Sequence, residues 1–141
     1  MPFLTAAREC ALALMETAER LGTALPQFTL DAPTERQLTM LLPELDAVGR
    51  KVFETVTLLQ TAQGVRLDTI DQSALMRGSV DQIAALLRRL NRIVITLRSS
   101  CEHDPQCRGA YILVAEAAVK ILGPFNRARD AALHRPGTSF S

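Results

Sequence analysis

Seven residues, Cys101-Glu-His-Asp-Pro-Gln-Cys107, form the one cluster in the sequence that combines thiol, imidazole and carboxylate metal-ligand types. They offer two thiols and one imidazole in a single short turn. A structural zinc site takes four ligands, usually as two separated pairs such as C-x2-C. Here the fourth ligand would be Asp104, and Asp104 followed by Pro105 is a helix-start signal that already uses the carboxylate as a cap. The cluster therefore predicts no metal site. Cys107, at the third position of the helix so begun, is where a helix dipole lowers a thiol pKa, and His103 is close by. Cys107 with Cys101 is thus the candidate reactive thiol of a redox protein, although no C-x-x-C accompanies it, and a disulfide across the hairpin is a further alternative. The reading we favour is ordinary cysteines. Cys101 ends an apolar helix line, and Cys10 lies on another.

Other catalytic routes find less. The two histidines, His103 and His134, lack the Glu-x-x-His context of a di-iron bundle. There is no Gly-rich phosphate loop, no G-x-S-x-G and no H-E-x-x-H. The carboxylate pairs Glu16/Glu19 and Asp68/Asp71 fall on solvated faces or in loops. The expectation is a protein that is not an enzyme, with no catalytic residues and no cofactor.

Binding chemistry has two candidates. Arg88, Arg89 and Arg92 stand 3 and 4 residues apart on one helix face and can straddle phosphates. Yet the net charge is only +1, and a nucleic-acid reader normally adds a larger basic excess and a turn or aromatic platform. The charge is also divided: residues 1–75 hold ten acids and six bases, residues 76–141 ten bases and five acids. That division suits two halves that pair within one fold, or a basic surface late in the chain. Surplus apolar residues make the second candidate. Leu12, Met15 and Ile95 lie off the expected core lines, as do Met40 and Leu42, and they point to helix-face contact with another protein.

These residues must be carried by helices. The chain has 141 residues, 48% of them apolar and 22% charged, with 4% aromatics and no Trp. One domain of that size buries roughly two thirds of its unfolded surface, and Leu, Ile, Val, Ala and Met build helix-packed cores readily. Phe3, Ala7, Cys10, Leu14, Thr17 and Leu21 predict a first helix over 5–21, with Thr5 as N-cap and Gly22 as its stop. Residues 23–33 read as a loop in which Phe28 and Leu30 tuck against the bundle. Leu38, Leu41, Leu45, Val48, Val52, Val56 and Leu59 predict a second helix over 34–62, kinked or broken at Pro43. A short helix from Asp68 to Met76 would stop at Gly78. Ser79 and Gln82 form a capping box for the next helix. Its line Val80, Ile83, Leu87, Leu90, Val94, Leu97 and Cys101 is a heptad seam, flanked by Leu86 and Ile93, that suits packing within one chain or across two. Asp104–Phe125 carries two apolar lines, Tyr111-Val114-Ala118-Ile121-Phe125 and Ile112-Ala115-Val119-Leu122. That pattern predicts a central helix over 105–122, stopped by Gly123-Pro124, with a short last helix after it.

The expectation is an all-α chain: an antiparallel four-helix bundle with room for one or two short extra helices, a single domain over 1–135 and a disordered tail over 136–141. Arg supplies fourteen of the sixteen bases, as a GC-rich bacterial coding sequence would. No run reaches the roughly 18 apolar residues of a membrane span, and Arg8, Glu9 and Glu16 interrupt what would be a signal peptide, so a cytoplasmic home with reduced thiols is expected. The function expected is a non-catalytic protein–protein interaction module, a small adaptor, chaperone or regulator, acting as a homodimer. Regulatory nucleic-acid binding through Arg88, Arg89 and Arg92 is the first alternative, and thiol redox chemistry at Cys107 the second.

Overall fold

A computed structural model describes residues 2–61 and 69–133; side chains are described for 3–61 and 74–133. Four long helices make the described fold: α1 (Pro2–Ala24), α2 (Ala32–Thr61), α3 (Thr69–Cys101) and α4 (Arg108–Leu133). They form a ring in which α1 packs on α2 and α4, and α3 packs on the same two. Cross-links fix the direction. Glu9 of α1 meets Arg127 of α4 while Thr17 and Leu21 lie beside Leu113 and Ala117, and Glu44 of α2 meets Arg89 of α3 while Gln37 and Met40 lie beside Arg92 and Ile93, so both pairs run antiparallel. The all-α antiparallel four-helix bundle expected from the periodicity is what the chain adopts.

Each helix buries one stripe. All six residues of the first expected line, from Phe3 to Leu21, are buried, and Ala11 with them. In α2 the line from Leu38 to Leu59 is buried apart from the half-buried Val48. In α3 the axis of burial is rotated slightly from the expected seam. Met76, Ser79, Ile83, Leu86, Leu90, Ile93 and Leu97 are buried, while Val80, Leu87, Val94 and Cys101 are half-buried on its flank. The seam is consumed within the chain.

The boundaries differ from expectation: α1 begins at Pro2, ahead of the expected cap Thr5, and helices run through their stop signals. α1 continues past Gly22 because Leu21 and Leu25 are both buried on either side of it. α3 begins at Thr69 rather than Ser79; the Ser79 hydroxyl donates to the Leu75 carbonyl at 2.9 Å, bonding back along a helix instead of capping a new one. α4 carries Pro124 inside it, because Phe125 and Ala128 extend its buried stripe, and packing offsets the lost backbone bond. α2 likewise passes through Pro43 without a break.

α4 is not the enclosed central helix expected over 105–122. It is one wall of four. Its first apolar line faces inward, but Ile112, Val119 and Leu122 of the second are exposed, because a ring of four helices gives each only two neighbours. The start of the helix is as expected: the Asp104 carboxylate accepts from the Gln106 backbone N–H at 3.0 Å, capping a 3-10 turn, Pro105–Cys107, that runs into α4. The expected tail over 136–141 and the Asp68 cap lie outside the described residues.

Candidate interaction groove

A broad groove lies between α1, α2 and the link that joins them, and two glycines explain its shape. Gly49 of α2 is buried against α1: a Cβ there would sit 2.8 Å from Met15 Cγ, 3.0 Å from the Ala11 carbonyl oxygen and 3.2 Å from Leu14 Cβ. The two helices thus touch backbone to backbone at this level. At the other end the link 25–31 folds over the bundle and Phe28 leans on Gly109 of α4, where a Cβ would meet Phe28 Cε1 at 2.5 Å. Between the tight crossing and the link, a groove of about 1130 Å³ opens. Leu21, Leu25 and Leu38 form its floor, Met15, Leu30 and Leu42 its walls, and Leu12 stands on its lip.

Pro43 and Thr39 line the same groove. Proline has no N–H, so the Thr39 carbonyl lacks the helical partner it would otherwise have. The rim is acidic. Glu16 and Glu19 of α1 and Glu35 and Asp46 of α2 border the groove, against a single base, Arg50. Asp46 holds Arg50 at 2.8 Å, which raises the Arg50 pKa through that hydrogen bond first. Glu16 lies 3.8 Å from Arg20. Glu19 and Glu35 are in no ion pair among the described residues.

Two of the three residues expected at an interface, Leu12 and Met15, belong to this groove. Leu12 also borders a smaller depression of about 200 Å³ between α1 and α4, so it crowns a ridge. Ile95 is exposed as expected but lies on α3, which lines neither depression. What the spacing did not reveal is the contribution of the link. Phe28 and Leu30, two apolar residues in a proline-bounded loop, were the available signal.

The thiols are arranged unlike a redox site. All three cysteines are free. Cys107 is buried, its thiol donates to Asp104 Oδ2 at 3.7 Å, and desolvation, then the charge and hydrogen bond of Asp104, push its pKa up. Burial first, and the Asp104 carboxylate second, thus work against the lowering expected from the helix start. Cys10, the most enclosed, is pushed up to about 12 by burial, with Arg127 opposing weakly. Among the described residues no three His, Cys, Asp or Glu side chains converge on a common point. Of the arginine face, Arg89 is held 2.6 Å from Glu44, while Arg88 and Arg92 are exposed. None of the described helices is long and apolar enough to cross a membrane.

No family model, curated protein or solved structure matches the chain.

Proposed function

We propose that this chain is a non-catalytic, cytoplasmic protein–protein interaction module that receives an apolar element of its partner in the α1/α2 groove. The observation that carries the reading is the groove itself. Its floor is aliphatic, formed by Leu21, Leu25 and Leu38, which supports the docking of an apolar element. Its volume also exceeds the roughly 300–1,000 Å³ of ordinary small-molecule sites. The reading includes a homodimer, for which the exposed line Ile112, Val119 and Leu122 on α4 is the face still free, since the α3 seam is already used.

Leu12→Glu tests it. Leu12 is 46% exposed, so the substitution leaves the fold intact, as circular dichroism will verify, while placing a charge on the lip of the groove. Partner capture from the protein's own cells is expected with the wild type and with Ile95→Glu, and is expected to be lost with Leu12→Glu. Equal capture by all three would remove the groove from the mechanism. Sedimentation equilibrium on the same proteins reads the dimer: two chains per particle are expected in each, and a single chain would end that part.

A further inference from the structure

The groove has a length and a sign of charge, and together they describe its occupant. Resting on the interaction reading above, we infer that the partner element is a short basic amphipathic helix from another protein, its apolar side on the groove floor and its Lys or Arg residues on the acidic rim. Along α1 the groove runs from Leu12 to Leu25, about 20 Å at 1.5 Å per residue. A helix of about 13 residues fills that length, presenting three or four apolar anchors at i, i+3 or i+4, and i+7. A small metabolite would leave most of the trough empty.

Charge chooses the flanks. The four acids and one base on the lining leave the groove negative although the whole chain carries +1. Glu19 on α1 and Glu35 on α2 stand on opposite walls, both exposed and both outside the ion pairs among the described residues. A neutral or acidic helix lying between them would meet uncompensated like charge; a basic helix would meet a carboxylate on each side. The Thr39 carbonyl, released by Pro43 on the same wall, adds an acceptor suited to a Lys or Arg donor. The ends of α2 at Thr61 and of α4 at Leu133 lie at the opposite end of the bundle from the α1–α2 link, where the groove ends.

Two fluorescent peptides of about 13 residues test the inference, one with Leu anchors flanked by Lys and one with the same anchors flanked by Glu, titrated with full-length protein at low salt. The Lys peptide is expected to bind at least about tenfold tighter, with the difference shrinking as salt screens the rim. Glu19→Gln/Glu35→Gln is expected to abolish the preference while leaving the Glu peptide's affinity equal or higher, and Leu12→Glu to weaken both. Equal binding of the two peptides would overturn the basic-helix inference and leave the interaction reading standing. Binding of neither would overturn both. Reversible head-to-tail growth of the protein alone, abolished by Glu19→Gln/Glu35→Gln, would assign the groove to the arginine-bearing face of a second copy and would also overturn the inference.

Discussion

At the scale of single residues, Cys10 gives folding a pH dependence that can be measured. Its thiol is enclosed between α1 and α4, with Sγ directed at the Ile121 carbonyl. Burial raises its pKa from 9.0 to about 12. In the unfolded chain the thiol loses its proton above about pH 9, while the folded chain keeps it, so over that interval the unfolded state binds fewer protons and stability falls as pH rises. The contribution is complete below the unfolded value and is lost progressively toward the folded one. One pH unit inside the window corresponds to about 1.4 kcal/mol. Urea titrations of wild type and Cys10→Ala at about pH 7 and about pH 10 should therefore differ in slope with pH: the wild type loses on the order of 1 kcal/mol more than the variant between the two. Parallel losses would mean that Cys10 is solvated. The same burial makes Cys10 and Cys107 slow toward a thiol reagent, with half-buried Cys101 reacting first.

At the scale of elements, the glycines separate two kinds of helix position that look alike in sequence. Gly22 in α1 and Gly78 in α3 have open space where a Cβ would sit, so they contribute only chain entropy to the unfolded state. Gly49 has backbone and Met15 against it. Gly22→Ala and Gly78→Ala should each stabilise the protein by about 0.5–1 kcal/mol. Gly49→Ala should destabilise it by about 1–3 kcal/mol, because the Ala11 carbonyl cannot yield as a flexible side-chain tip would. Thermal melts of the three variants decide the matter, and a neutral Gly49→Ala would show that α1 and α2 are not in close contact. The contrast also explains what the sequence could convey. The apolar periodicity from Phe3 to Leu21 and from Leu38 to Leu59 was sufficient to place helices and their buried faces, because burial acts on every turn. Stop signals act at one point each and were overridden where a buried residue lay beyond them: Leu25 past Gly22, Ile83 past Gly78, Phe125 past Pro124. Leu12 and Met15 were legible as surplus apolar residues. The groove was not, since it arises from the tight crossing at Gly49 and the fold of the link over Gly109, neither of which has a periodic signature.

At the scale of the whole molecule, the division of charge along the chain becomes a division in space. Glu9 and Arg127 join α1 to α4, and Glu44 and Arg89 join α2 to α3, so acids of the first half do pair with bases of the second. All four side chains are more than a third exposed, and such surface pairs contribute about 0–1 kcal/mol each. Their larger effect is on what remains. Among the described residues, Glu19 and Glu35 at the groove on α1 and α2 are in no ion pair, and neither are Arg88 and Arg92 on α3. For a nucleic-acid reading, Arg88 and Arg92 are the two members of the three-arginine face that are in no ion pair among the described residues. Counterion release then gives a slope of log K against log salt of about −2, compared with −5 to −9 for a binder contacting six to ten phosphates. Retention on double-stranded DNA should therefore vanish below about 0.15 M salt, and Arg88→Gln/Arg92→Gln should remove what weak retention is seen at lower salt. Retention that persists above that concentration and disappears in the double variant would give the arginine face precedence over the groove, because no pair of isolated surface arginines holds a duplex at that ionic strength without further contacts from α3 or α4.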